Sequence, residues 1–445
     1  MQIVGKTFDD IKVGDTAESQ TTFQAKDLRA WASAFGEGGS VGGDPAGILT
    51  AVLSSLARRR LPGPGAAVRT ASVQVKGDLP VGSPIVVRLT VAAKANGVVK
   101  LDGRCLGGAG EEIATAILEV LAPQKSVTVD LPEHRLEGLL ERCKTLKPMR
   151  TGVVHPCSAT ALGGAVEAAQ ADLIEPVLFG PKAELTRLAD EARLDISKFH
   201  LVDTSSAEES AEKAALAAGA GEVQALMKGS LHTDVILHAA MQKEAKLRTG
   251  RLLSHCAALS IPTYARRIVL TDVALNIAPD TDQKRDICQN AIGFARALGV
   301  DTPKVAVLAA VETVRTRMPA TVDGAILAKM ADRRQIVGGI VDGPLDLDAA
   351  VDADAARTKH IVSPVAGVAD VLLAPNIEAG NMIYKDLAFM ADAQTAGLVV
   401  GARVPIILTS RADGPAARRF SAAAAVLYAD ALARDPASIL PDAAE

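Results

Sequence analysis

Two architectures in series are predicted: an α+β unit over residues 1–121 and an α/β unit over residues 150–445, joined by a linker at 122–149. Three observations lead there. Residues 1–121 give one long apolar helix and then a run of strands with no helix between them. From Thr151 onward, short apolar strands alternate with helices, the pattern of a parallel sheet covered on both faces. Between these lies a charged stretch bounded by Ala122-Pro123 and Lys147-Pro148, of the kind that separates domains.

The 445 residues are 49% hydrophobic and 22% charged. That supplies apolar side chains for more than one core and argues against global disorder. A net charge of −4 with 3% aromatics gives no attraction for nucleic acid and few rings for base stacking. Cys105, Cys143, Cys157, Cys256 and Cys288 are odd in number and scattered, which suits reduced thiols in a cytoplasmic protein. Residues 1–10 lack a signal pattern, and no apolar run reaches the roughly 18 residues of a membrane span, so no membrane partner is expected.

Taken in order, Leu28, Trp31, Ala32 and Phe35 predict a short helix over 25–35. A longer apolar helix over 48–61 stops at Leu61-Pro62-Gly63-Pro64-Gly65. Segments 68–76, 84–92, 97–106 and 113–121 are strand-like and separated by Gly-, Pro- and Asn-rich turns. Leu136, Leu139 and Leu140 predict a linker helix over 131–144. The second unit opens with strands 153–155, 176–179, 199–202 and 223–227, followed by helices 159–171, 183–192, 207–218 and 234–247 respectively. It continues through strand 268–270, helix 283–298 and strands 305–310, 336–341 and 371–373. Near the end, a strand over 404–408 leads into an Ala-rich helix over 415–433.

In open α/β sheets, ligands bind beyond the carboxyl ends of the strands, so polar residues there come first. The last strand is followed by Thr409-Ser410-Arg411-Ala412-Asp413 and a helix. An arginine fork beside the free N–H groups of a helix start suits an anion, although Ser410 and Asp413 are also ordinary helix-start residues. Met227-Lys228-Gly229-Ser230 ends another strand, and Arg251-Leu252-Leu253-Ser254-His255 opens an apolar run. Thr271-Asp272-Val273-Ala274-Leu275-Asn276 and Gly343-Pro344-Leu345-Asp346 follow two more strands, and Gly380-Asn381-Met382-Ile383-Tyr384-Lys385 lies beyond a further one. Each of these also has a plain reading as a turn, a cap or a solvated surface. No P-loop, strand-linked G-x-G-x-x-G or zinc-spaced His/Cys cluster is present.

Together and in this order, these motifs resemble the phosphate acetyl/butyryltransferase family over about residues 150–436. Thr-Asp-x-Ala-x-Asn-x-x-Pro, Gly-Asn-x-x-Tyr-Lys and Ser-Arg-Ala-Asp are the most specific parts, and Val154-His155-Pro156 resembles the butyryl branch. Residues 1–121 resemble the MaoC-like hot-dog enoyl-CoA hydratases through Phe8-Asp9-Asp10-Ile11-Lys12-Val13-Gly14, Gly47-Ile48-Leu49-Thr50-Ala51 and the Leu61–Gly65 stop. The order of the two units is similar to that of the fused bifunctional enoyl-CoA hydratase/phosphate acetyltransferases.

The resemblance implies a hot-dog domain followed by two isocitrate-dehydrogenase-like α/β subdomains with a cleft. It implies transfer of a short-chain acyl group between coenzyme A and inorganic phosphate, in at least a homodimer. Coenzyme A enters as a substrate, and no metal or redox cofactor is called for. Arg411 is then the principal anion clamp, with Ser410 beside it, while Lys228 and Arg251 contact phosphate or coenzyme A. Ser254, Asp272, Asn276, Asn381 and Lys385 complete the substrate-binding set.

Three departures accompany the resemblance. Acetyl-specific members carry a catalytic aspartate six positions after the motif arginine, where this chain has Ala417; Asp413 is the replacement expected. The segment after His155-Pro156, usually acidic with an arginine, reads Cys157-Ser158-Ala159-Thr160-Ala161-Leu162-Gly163. The hydratase signature Asp-x-Asn-Pro-x-His is missing from the region Gly36-Glu37-Gly38-Gly39-Ser40-Val41-Gly42-Gly43-Asp44-Pro45, and the first histidine in the chain is His134. Without that acid/base pair the hot-dog domain is expected to be inactive. A non-catalytic acyl-CoA- or phosphate-binding scaffold is the alternative that these losses leave open, and a bifunctional enoyl-CoA hydratase/phosphate acyltransferase is the third reading.

Overall fold

The computed structural model describes residues 2–34, 44–108, 110–130, 135–408 and 414–441. Phe35, residues 36–43, residues 131–134 and the motif residues Ser410, Arg411 and Asp413 lie outside the described residues. The chain forms two compact units, Met1–Leu131 and Pro132–Glu445.

The first unit runs β1 (Gln2–Val4), β2 (Thr16–Thr22), α1 (Ala25–Ala34), α2 (Pro45–Arg60), β3 (Ala67–Val75), β4 (Pro84–Ala95), β5 (Val98–Leu106), β6 (Glu112–Leu121) and β7 (Thr128–Asp130). Its main sheet is antiparallel in the order β2-β4-β5-β6-β3. The β4–β5 hairpin turns on Asn96 and Gly97, both at positive φ (50° and 77°), as the tight two-residue hairpin turn demands. Helix α2 starts with Pro45 at its first position, and the Asp44 side chain accepts from the backbone N–H groups of Ala46 and Gly47. Leu49 and Leu53 of α2 are buried in one cluster with Leu89, Leu101 and Leu118 of the sheet. Gly103 allows this approach, since a Cβ there would stand 3.0 Å from the Leu53 side chain. Strand β2 was not anticipated. It is an edge strand whose alternation is weak, with Ala17 its one buried residue.

The second unit runs α3 (Glu137–Cys143), β8 (Met149–Val154), α4 (Ala159–Gln170), β9 (Ile174–Gly180), α5 (Lys182–Ala192), β10 (His200–Asp203), α6 (Ala207–Gly219), β11 (Ala225–Lys228) and α7 (Thr233–Ala240). Then come β12 (Ser254–Ser260), β13 (Arg267–Thr271), α8 (Thr281–Ala297), β14 (Lys304–Leu308), α9 (Pro319–Asp332), β15 (Ile340–Leu345), α10 (Leu347–Val351) and α11 (Ala353–Thr358). The last are β16 (Val371–Leu373), α12 (Ile377–Phe389), β17 (Gln394–Val400), β18 (Ile406–Ile407), α13 (Pro415–Arg434) and α14 (Pro436–Ile439). Helix α7 is shorter than the 234–247 predicted. Residues beyond Ala240 form turns, with Lys246 at φ 53°, and Gly219 gives room for the Ala245 carbonyl.

Eleven strands form one sheet, β10-β9-β8-β11-β18-β17-β12-β13-β16-β14-β15. It is mixed, a correction to the parallel sheet expected. The pairs β18–β17, β17–β12 and β12–β13 are antiparallel. For β12–β13 and β17–β18 the reason is connection length: residues 261–266 and 401–405 are too few for the crossover of a dozen or more that parallel neighbours need. Following the directions across the sheet, β13 runs opposite to β11. The two halves therefore carry their strand ends at opposite edges.

Strand residues alternate between two cores. Val153, Met227 and Ile407 pack with Leu162 and Leu185 on one face, together with α13. Val154, Leu226 and Ile406 pack with Ala214 and Ile236 on the other. So the helix after β8 lies on one face and the helix after β11 on the opposite face, although the two strands are hydrogen-bonded neighbours.

Candidate functional site

That reversal makes the carboxyl ends of β8 and β11 a topological switch point, where helices diverge and leave a crevice. A cavity of about 360 Å³ lies there, lined by Ser158, Thr160 and Ala161 from the start of α4, by Lys228, Gly229 and Ser230 after β11, and by Ile407 and Arg418. The turn that forms it is tightly specified. Gly229 N–H donates to the Val154 carbonyl (2.9 Å) and Ser230 N–H to the His155 carbonyl (2.8 Å). A Cβ on Gly229 would come within 2.3 Å of the Val154 oxygen, so only glycine fits. The Ser230 hydroxyl donates to Ser158 Oγ at 2.7 Å, and Ser158 Oγ also accepts from Ala161 N–H, capping α4. Ser158 keeps its own proton to offer a ligand.

Arg418 enters from the first turns of α13, half-buried, with its Cδ 2.9 Å from where a Gly164 Cβ would be. Two cations, two serine hydroxyls and the first N–H groups of α4 thus surround one cavity, a donor set for an anion and above all for a phosphoryl group. Cys157 beside it is no nucleophile. Burial, helped by Glu184, pushes its thiol up to about 12.

Of the residues predicted for binding, Lys228 is in this crevice. Arg251, Ser254, Asp272, Asn276 and Asn381 gather at the other edge, around the carboxyl end of β13. Asp272 is buried and accepts from the backbone N–H groups of Ala274 (2.9 Å), Leu275 (3.1 Å) and Asn276 (3.2 Å), and from Asn276 Nδ2 (2.5 Å). Those bonds use the carboxylate's acceptor sites to shape its own loop. Asn276 Nδ2 also donates to the Leu253 carbonyl (2.9 Å), and Asn381 Nδ2 to the Val273 carbonyl (2.9 Å). Gly380 is required because a Cβ there would lie 2.1 Å from the Asp272 oxygen. Ser254 is fully buried, and its hydroxyl accepts from Asn290 Nδ2 at 3.0 Å. Arg251 is half-buried and donates to the Pro441 carbonyl. Lys385 is exposed on α12, its ammonium 5.6 Å from the Phe389 ring centroid.

His255 lies between the two groups. Buried on β12, it donates a ring N–H to the Leu408 carbonyl. Burial pulls its pKa down from the ordinary histidine value, opposed by the charge of Asp272. Ser410, Arg411 and Asp413 are outside the described residues, but the chain on either side of them is placed: Ile407 and Arg418 both line the crevice. Sequence reasoning missed Arg418, Ser158 and Ser230 as site residues. Only the β8–β11 pairing brings residues 158 and 230 together, and Arg418 sits in a stretch that reads as an Ala-rich helix. Among the described residues, no group of three or more His, Cys, Asp or Glu side chains could hold a metal ion. Nor is any helix among them long and apolar enough to cross a membrane.

This fold is that of the phosphotransacylases. A branched-chain phosphotransacylase from Enterococcus faecalis V583 aligns with a TM-score of 0.56 and 28% identity, over 63% of this chain and 99% of that one. Residues 206–425 match the phosphate acetyl/butaryl transferase family model. A phosphate acetyltransferase of Rhizobium meliloti is 47% identical over 295 residues, covering 66% of this chain and 93% of the relative. A phosphate butyryltransferase of Clostridium beijerinckii is 38% identical over 293 residues, covering 66% and 97%. The chain belongs to the phosphate acetyl/butaryl transferase family.

Proposed function

We propose that this protein is a phosphate acyltransferase that interconverts a short-chain acyl-CoA plus inorganic phosphate with acyl phosphate plus coenzyme A. The observation that carries this reading is the switch-point crevice, whose lining residues Ile407 and Arg418 flank the Ser410-Arg411 motif in sequence. A phosphate oxygen attacks the thioester carbonyl carbon, the C–S bond breaks, and the coenzyme A thiolate leaves and takes a proton. The reaction needs phosphate held close to the carbonyl and donors for the tetrahedral oxyanion. Lys228, the crevice hydroxyls and Arg411 are the donors suited to the first task. Asp413 is the carboxylate nearest in sequence to Arg411 and stands in for the aspartate that Ala417 lacks.

The two halves of the second unit are read as isocitrate-dehydrogenase-like subdomains, and the working enzyme as a cytoplasmic homodimer or larger homo-oligomer. The first unit is read as a hot-dog domain without hydratase activity, because it has no histidine to pair with an aspartate. The test is release of coenzyme A from acetyl-, propionyl- and butyryl-CoA by purified protein, with and without phosphate. Phosphate-dependent release with acyl phosphate as product is expected. Coenzyme A binding with no release would replace the acyltransferase with a scaffold. Crotonyl-CoA should show no hydration above background, and measurable hydration would restore the hydratase.

A further inference from the structure

Arg418 has features that a surface arginine lacks. Its aliphatic stem is packed on Gly164, the residue belongs to the lining of the crevice, and its guanidinium has no carboxylate partner among the described residues. It also stands where a cation is disfavoured. Helix α13 begins with Pro415 after Gly414, has no acidic residue in its first turn and no side-chain cap, and then carries Arg418 and Arg419. The positive end of a helix dipole repels such charges unless an anion lies near them.

We infer that Arg418 is a substrate-binding residue that holds a phosphoryl group in the switch-point crevice, together with Lys228. This deepens the acyltransferase reading and rests on it. The group can belong to inorganic phosphate or to coenzyme A, since both present the oxygen geometry that a guanidinium fork matches. Gly164 sets the residue's position, because α4 must approach α13 without a side chain at that point for the arginine stem to lie flat.

The experiment compares wild-type protein with R418Q, R418K, R419Q and G164A. It measures KM for phosphate and for acyl-CoA, and binding of inorganic phosphate and of coenzyme A by calorimetry. R418Q should weaken one ligand by about 10- to 100-fold, the range of a lost charge-assisted hydrogen bond, with an unchanged circular dichroism spectrum. R418K should recover part of the loss, because it restores charge without the fork. G164A, which keeps the charge but displaces the stem, should weaken the same ligand less. R419Q should leave both ligands unaffected. A rise confined to phosphate identifies inorganic phosphate as the source, and one confined to coenzyme A identifies that substrate's own phosphates. R418Q that binds and turns over like wild type overturns the inference, as does an equal small loss for both ligands shared with R419Q. Wild-type protein that binds neither ligand overturns it as well. Binding without turnover would sink the acyltransferase reading alone, and the calorimetric comparison would still decide the role of Arg418.

Discussion

His255 and Leu408 are joined through the middle of the sheet. The β12 imidazole donates to the carbonyl of the residue that immediately follows β18, seven positions before α13 begins at Pro415. A Cβ on Gly397 would stand 2.9 Å from His255 Nε2, so the ring and the neighbouring strand are fitted to each other. Burial disfavours the charged ring, so the folded-state pKa lies below the unfolded value near 6.5. The unfolded chain then binds more protons at acid pH. Stability is full above about pH 6.5 and declines as pH falls through the unfolded value, levelling only below the folded one. Denaturant midpoints at pH 7.5 and 5.5 should therefore differ more for wild type than for His255→Gln. Equal pH dependence in the two proteins would refute the assignment.

Gly380→Ala opposes two effects whose sizes decide the outcome. Alanine improves helix propensity by up to about 1 kcal/mol. Its Cβ would also meet the Asp272 carbonyl at 2.1 Å, and that atom is backbone with little freedom to move. Overpacking of this kind costs about 1–3 kcal/mol, so net destabilisation is expected. Separating α12 from the β13 loop would also stretch the bond from Asn381 to Val273. A thermal-melt comparison reads the sign directly, and a stabilised variant would contradict the packing account.

Lys284 and Asp323 form a buried ion pair at 2.6 Å, with Thr281 also donating to Asp323. Asp323→Ala would leave the ammonium buried and uncompensated, a loss of about 3–5 kcal/mol. Replacing both partners with apolar residues, Lys284→Met with Asp323→Leu, should recover most of it. Urea titrations of the single and double variants check this, and additive losses would show the pair to be independent.

Arg411→Ala should lower turnover by about 10²- to 10³-fold, the scale of losing a principal oxyanion or phosphate donor. The circular dichroism spectrum should not change. Wild-type rates in that variant would remove Arg411 from the mechanism.

Most elements were legible because their period is written in single residues. The helix over 283–298 and the strands over 84–92 and 113–121 appear as α8, β4 and β6 within a few positions. Strand β2 was hidden because an edge strand with one buried residue leaves little alternation to read. Strand direction was readable in principle, since the short links 261–266 and 401–405 forbid parallel crossovers, but apolar periodicity carries no information about direction. The site divided along the same line. Asp272, Asn276 and Asn381 are neighbours because their motif spacing reflects one loop and one helix. Arg418 and Ser158 are 260 positions apart in sequence and meet only through tertiary packing.

The place of β18 in the sheet bears on how the chain is made. Strand β11 ends at residue 228 but finds its second neighbour only at Ile406–Ile407, and α4 is covered by a helix that closes at Arg434. A ribosome that has released the first 250 residues has therefore delivered a sheet with a bare apolar edge and an uncovered face. Such edges template aggregation, and contacts this distant in sequence close slowly. Completion of the early half waits for residues beyond 405, so a stop codon after β17 would leave β11 without its second neighbour and α4 without the helix that covers it.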